Sequence, residues 1–305
     1  MGPLLELFSG LGAAGLAWGG PVAGAVDQSA AANETYALNH GRRPDCWNLA
    51  AVREQQLAGF QAPRWWLSPP CQPYTVRGAA RDLDDQRARA LIHLLPLIQR
   101  LRPAVIAMEN VPGFVPSQSR GELRACLIGA GYSLHERLLC PTALGFPMRR
   151  LRYYLVAHRD AGAPHHADFS TPCARPPERP LLEFLDPDPD PELCLTEATV
   201  RGFGHSAHVV DANDAVATAH CFTSAYGRSP LRAGSYVRDS LGIRRFSPEE
   251  VLRLLGFPRP FRFPDETART TRWELAGNSL AIPVVRAVLA GAGVLAPAAS
   301  VVNGA

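Results

Sequence analysis

The sequence predicts an α/β protein, a doubly wound and mostly parallel sheet accompanied by a smaller second domain. Three observations carry that prediction. Short apolar strands alternate with amphipathic helices through the first half of the chain, the pattern of a parallel sheet covered on both faces. From about residue 160 to 191 the chain turns rich in Pro, Asp and His, with "PPERP" and "DPDPDPE" acting as breakers, which suits a domain boundary or variable loop better than a sheet core. An apolar helical run, "NSLAIPVVRAVLAGAGVL", then closes the chain.

The elements follow in order. "PLLELF" reads as the first strand, followed by the glycine-rich turn "SGLGAAG" and a helix. "VAGAVD" is the second strand and ends on Asp27, and "RWWLS" leads into the loop "PPCQPYT". "LDDQRARALIHLLPLIQRL" has apolar residues at helical spacing. "AVIAMEN" is a buried strand ending on Glu109 and Asn110, and "RYYLVAHR" is a later strand of the same sheet. Order returns with "CFTSAYG" and then "SPEEVLRLLGFP", whose Ser-Pro-Glu-Glu start is a helix-capping signature. No internal repeat is visible.

Composition narrows the class. A chain of 305 residues suits one large domain or a large and a small one, and an apolar content of 47% excludes a disordered polymer. All 31 basic residues are arginine, which supplies permanently charged planar donors suited to phosphates. The net charge of +3 permits nucleic-acid binding without demanding it. "MGPLLELFSG" lacks the basic start and cleavage site of a signal peptide, and no apolar run has membrane-spanning length. Seven cysteines, without a Cys-x-x-Cys pair, argue against a disulfide framework and against structural zinc. A cytoplasmic protein with reduced thiols, no metal and no membrane partner is expected.

Several residues have the character of a site. The turn after the first strand serves either a nucleotide or merely a tight bend, and lacks the GxGxxG fingerprint of nicotinamide and flavin enzymes. Asp27 is placed to accept a ribose hydroxyl pair or to cap a helix. Cys71 lies in a proline-stiffened loop after a strand, either inert or a nucleophile; a free thiol with a pKa of roughly 8.5 needs nearby positive charge to react. Glu109 is either a helix cap or an acid in a low-dielectric cleft, where its pKa would rise. Arg150 and Arg152 share one side of a strand by its two-residue period, as surface ion-pair partners or as a receptor for a buried anion or carbonyl.

The order of these motifs is more telling than any one of them. "LFSGLG", "SPPCQ", "MENVPGF", "RRLRYYLVA", "LLGFP" and "AGNSLAIPVV" occur in that sequence, and together they resemble the cytosine-5 nucleic-acid methyltransferase family from residue 4 to about 290, apart from a stretch near 160–215. The resemblance implies a methyltransferase-type sheet that binds S-adenosylmethionine. It implies a cofactor-binding catalytic domain over 1–160 and 270–305 and a target-recognition domain over 161–269. It places the cofactor along Phe8, Ser9, Gly10, Leu11 and Gly12, with Asp27 at the ribose, and with Gln28, Asn48, Leu49, Ser68, Pro70, Asn278, Ser279 and Leu280 completing the pocket. The target base is flipped from its stack. Cys71 would add to carbon 6, Glu109 would hold or protonate N3, and Arg152 with Arg150 would neutralise the O2 side. Two departures stand out: Met148 replaces the Gln that many DNA-modifying relatives carry before the Arg-x-Arg element, and Asn48 replaces a frequent acid near the adenine.

One branch of the family methylates a cytosine in the anticodon loop of transfer RNA and carries a Cys-Phe-Thr motif followed by Tyr. Here Cys221, Phe222, Thr223 and Tyr226 match it, and the resemblance implies that they contact substrate together with Gln72 and Thr75. The bland alternative for "CFT" is half of a buried strand. Arginines 228, 232, 238, 244 and 245 either grip an RNA backbone or form a solvated face. Transfer RNA is the expected substrate. Duplex DNA, methylated by a restriction-modification enzyme, is the alternative, and a non-catalytic nucleic-acid binder is disfavoured by intact Cys71, Glu109 and Arg152.

Overall fold

The computed structural model describes residues 2–75, 81–159, 164–203, 206–229 and 233–295. The first half of the chain supplies β1 (Leu4–Leu7), α1 (Ala13–Trp18), β2 (Val22–Val26), α2 (Ala30–His40), α3 (Glu54–Ala58) and β3 (Arg64–Leu67). It continues with α4 (Arg89–Leu101), β4 (Val105–Asn110), α5 (Gln118–Gly129), β5 (Tyr132–Leu139) and β6 (Arg152–Arg159). A short β7 (His166–Asp168) completes a seven-stranded sheet of order β2-β1-β3-β4-β6-β5-β7. Strands β2, β1, β3 and β4 run parallel; β6 is antiparallel to β4 and β5 to β6.

The apolar strands are buried because helices cover both faces. In β4 Val105 and Ala107 face one core with α1, while Ile106 and Met108 face the other with α4 and α5, the two-residue period of a strand. On α4, Leu91, Leu94 and Ile98 are completely buried, each contributing about 2 kcal/mol of transfer free energy. Pro96 sits on the exposed face of that helix.

Two readings of the sequence need correction here. The helix expected from Leu83 begins only at Arg89, because the Asp85 carboxylate accepts the Arg87 N–H and divides the approach into two 3-10 turns. Strand β5 was not anticipated, since His135, Glu136 and Arg137 lie in its middle; Glu136 is in fact buried and paired with Arg120 and Arg124.

Beyond β7 the chain forms α6 (Glu197–Phe203), β8 (Val209–Asp211), β9 (Tyr236–Asp239), β10 (Gly242–Arg245), α7 (Pro248–Leu254), α8 (Arg269–Asn278) and α9 (Ile282–Gly291). The three strands make a separate sheet of order β10-β9-β8. Ser247 and Glu250 form a reciprocal capping box on α7. The proline-rich stretch is not purely loop: Leu181, Phe184 and Leu185 are buried, and Arg253 of α7 donates to the Phe184 carbonyl and the Asp186 carboxylate. Helix α8 packs against α7 and α9 against α1, and Trp273, Leu275 and Ala276 of α8 share one apolar core with Trp66, Ala107 and Val156 of the large sheet. Among the described residues no helix is long and apolar enough to cross a membrane, and no group of His, Cys, Asp and Glu could hold a metal ion.

Candidate active site

The strand order creates the site. The chain leaves β1 toward β2 and later returns to β3, so connections diverge at the carboxyl ends of β1 and β3, where open α/β sheets bind ligands. Register aligns Leu7, Leu67 and Met108 across β1, β3 and β4, so Phe8 and Ser68 follow their strands at the level where Glu109, still paired with Tyr154 of β6, approaches the end of β4. A cavity of about 580 Å³ opens there.

One half of the cavity is built from the glycine turn. Phe8 and Gly10 adopt positive φ, 59° and 51°, and a side chain at Gly10 would meet open space. Asp27 Oδ2 accepts the Gly10 N–H at 2.8 Å and Oδ1 accepts the Ser29 N–H at 2.8 Å. The helix cap is Ser29, which accepts from Ala32, so Asp27 pins the turn and keeps further lone pairs for a ligand. Phe8, Ser9, Gly10, Leu11, Gln28, Asn48, Leu49, Ser68, Pro70, Asn278, Ser279 and Leu280 all line the cavity. Gly12 does not. Its φ of 78° turns it toward α2, where an added side chain would strike Tyr36 and His40, so its part is close packing rather than the ligand contact expected.

Three buried polar atoms of residues on the cavity wall, Ser9 Oγ, Ser279 Oγ and Gln72 Oε1, have no hydrogen-bond partner among the described residues. Unpartnered buried oxygens of this kind are costly unless a ligand or water satisfies them. The Asn48 side chain accepts the Ala50 N–H at 2.9 Å, which leaves its amide nitrogen for a ligand.

The other half gathers the ionisable groups. Cys71 precedes a single 3-10 turn, Gln72–Tyr74, and the Asn110 amide donates to the Pro69 carbonyl at 3.3 Å, tying this loop to β4. Gln72 lines the cavity, whereas Thr75, expected as a contact, bonds back to the Gln72 carbonyl at 3.3 Å and lies off the wall. Glu109 is 8% exposed and its Oε1 is 3.2 Å from Arg152 Nε. Burial raises its carboxyl above the ordinary range, opposed by Arg152 and Arg150. Burial and then the Glu109 charge push the Cys71 thiol up, again opposed by the two arginines. Gln86 and Arg87 also line the cavity; treating their segment as helix concealed them.

Arg150 lines the cavity together with Arg152 and also holds the surrounding loops. It lies before β6 rather than in it, and is 4% exposed. Its guanidinium donates to the carbonyls of Phe222 at 3.0 Å, Gly277 at 3.0 Å and Ser279 at 2.5 Å, so it ties the Cys-Phe-Thr loop to the Asn278–Ser279 turn. Arg150→Ala leaves three carbonyls without this donor, each worth about 1–3 kcal/mol when buried. Urea titration should show a loss of about 3 kcal/mol or more.

The Cys221 thiol lies 3.4 Å from Arg150 Nη1 and 3.5 Å from Arg152 Nη2. Burial alone would raise it, but the two guanidinium groups outweigh burial and hold it below the usual thiol range. Phe222 and Tyr226, expected as substrate contacts, are 2% exposed and stack edge to face. The Tyr226 hydroxyl donates to the Ser235 carbonyl and accepts the Phe246 N–H, which leaves these rings a role in the core. Thr223 packs its carbonyl against Gly277, where a side chain would collide, and it too lies off the cavity wall.

The arginines that either grip an RNA backbone or form a solvated face have different surroundings. Arg244 is fully buried between Glu250 and Asp239, Arg228 pairs with Glu274, and Arg245 lies over Trp273. Arg238 is exposed on β9, and Arg232 lies outside the described residues.

Comparison with known proteins follows the same lines. The family described as C-5 cytosine-specific DNA methylase matches residues 3–183 and 196–292. A tRNA (cytosine(38)-C(5))-methyltransferase of Schizosaccharomyces pombe is 28% identical, covering 92% of this chain and 94% of its own. A Dictyostelium discoideum DNA (cytosine-5)-methyltransferase is 26% identical, covering 94% and 93%. Among solved structures, the S. pombe Dnmt2 methyltransferase superposes with a TM-score of 0.83 at 26% identity, covering 95% of this chain and 97% of its own.

Proposed function

The chain belongs to the C-5 cytosine-specific DNA methylase family, and on that premise we propose that it methylates carbon 5 of a cytosine in the anticodon loop of a transfer RNA, using S-adenosylmethionine. The observation that carries the chemistry is the convergence of Cys71, Glu109 and Arg152 on one cavity wall. The relative named for cytosine 38 of tRNA, aligned over nearly the whole chain, supports the substrate, as does the Cys221-Phe222-Thr223 motif set against the two arginines.

The donor set fits the cofactor. Asp27 offers acceptors for a ribose diol, the open Gly10 turn admits a close approach, and the unpartnered hydroxyls of Ser9 and Ser279 await a ligand. When bound, S-adenosylmethionine supplies an electrophilic methyl group for carbon 5. Cys71 Sγ, as thiolate, bonds to carbon 6 of the flipped base and sends the π pair of the 5,6 double bond toward carbon 5. Glu109, whose protonated form burial favours against the pull of Arg152 and Arg150, delivers a proton to N3 and cancels the charge that addition creates. Arg152 orients Glu109 and presents a cation to the O2 side. Loss of the carbon 5 proton to a base then restores the double bond and expels the Cys71 thiolate, and N3 returns its proton to the Glu109 carboxylate.

A loop base is already partly unstacked, so flipping it costs less than extraction from a duplex. The DNA-named relative keeps duplex DNA as the second reading. The test is methyl transfer from labelled cofactor to total tRNA and to duplex DNA, followed by bisulfite sequencing of both. One anticodon-loop cytosine should be protected in tRNA. A duplex methylated at a defined short sequence, with every tRNA unmodified, would replace this reading with the DNA one.

A further inference from the structure

Arg149 and His220 sit immediately before Arg150 and Cys221 in the chain, on two segments joined by their backbones. The Arg149 N–H donates to the Ala219 carbonyl at 2.8 Å, and Met148 and Ala219 form a parallel bridge. Arg150 and Cys221 turn inward and meet at 3.4 Å, whereas Arg149 and His220 are both exposed. They therefore present their side chains to solvent directly beside Arg150, which lines the cavity.

His220 stacks face to face on His208, with ring centroids 3.5 Å apart and planes at 16°. Ser235 fixes the stack: its Oγ accepts the His220 N–H at 2.7 Å and lies 2.8 Å from His208 Nδ1. The Arg149 guanidinium makes no hydrogen bond or ion pair among the described residues. An unpaired arginine beside a locked imidazole pair is an arrangement for an anion rather than for packing. Resting on the proposed function only in taking a polynucleotide as substrate, we propose that Arg149, His208 and His220 bind a phosphodiester of the substrate strand flanking the target base.

The electrostatics give the site a signature. Burial, the neighbouring imidazole and Arg149 hold His208 below the ordinary histidine range; burial and Arg149 do so for His220. These are the charged groups that act on the pair, and Ser235 is neutral. Two imidazolium rings at 3.5 Å repel, so the free protein keeps the pair largely neutral. A bound phosphate counters Arg149 and favours a proton on the stack. Binding therefore takes up a proton, and affinity for the polynucleotide rises as pH falls from about 8 to 6.

The experiment measures Kd, KM and kcat against pH and salt for the wild type, Arg149→Gln and His220→Ala, using whichever polynucleotide the wild type methylates. A wild type active only on duplex DNA counts against the tRNA reading and leaves this test in place. Arg149→Gln should raise Kd and KM about tenfold, change kcat much less, and reduce the salt slope by about one. His220→Ala should flatten the pH dependence of Kd while the Kd for S-adenosylmethionine stays unchanged. Unaltered Kd and salt slope in Arg149→Gln, or an unaltered pH dependence in His220→Ala, would overturn the proposal.

Discussion

Cys71→Ala is expected to abolish methyl transfer while leaving cofactor binding almost intact. The thiol lies where the loop after β3 enters the cavity, whereas the groups suited to the cofactor come from the turns after β1 and β2 and from Asn278–Leu280. Removing a nucleophile that forms a bond in the reaction costs about four orders of magnitude or more in rate. Cys221 cannot take its place: its sulfur is engaged by Arg150 and Arg152 and does not line the cavity. Single-turnover methylation and calorimetric titration of S-adenosylmethionine separate the two effects. Residual turnover above about a tenth of wild type would remove the covalent step from the mechanism.

The parts of this site legible in the sequence are those whose local pattern admits one structural answer. A run as short as Val105–Met108, set between Pro103 and Pro112, reads as a strand buried on both faces, so Glu109, which comes next, stands toward the sheet's carboxyl edge. The stiff loop around Cys71 is legible for the same reason, through the apolar Trp65–Leu67 before it. What escaped depends on tertiary direction, which composition does not encode. Gly10 and Gly12 belong to one turn yet face opposite sides, one to the cavity and one to His40. Arg150 and Arg152 look equivalent, but carbonyls from two distant segments capture the first. Phe222 and Tyr226 carry a motif that suggests contact with substrate, yet their rings fill the core beside Phe246 and Trp273. Arg244 reads as one more surface charge until Glu250, six residues on, is found beneath it. Strand β5 was hidden because Glu136 finds its cations in Arg120 and Arg124 of α5.

Glu109→Gln is expected to lower kcat/KM by about two to four orders of magnitude, because an amide cannot supply the proton that N3 needs. Its shape and hydrogen-bonding reach survive, so cofactor affinity should not move. The pH profile distinguishes this acid from a merely structural carboxylate. Reaction requires Cys71 without its proton and Glu109 with its own, and burial raises both groups. In the wild type, kcat/KM therefore climbs with pH while Glu109 stays protonated. It levels once Glu109 begins to ionise, since each gain in thiolate is matched by a loss of acid, and it falls beyond the Cys71 pKa. In Glu109→Gln only the thiol titrates, so the residual rate should keep rising through the region where the wild type is flat. The same substitution removes an anion that holds the Cys71 thiol up, so iodoacetamide should alkylate Cys71 faster at pH 8 even as methylation collapses. A variant with more than about a tenth of wild-type kcat/KM and the same flat region would show that the proton comes from elsewhere.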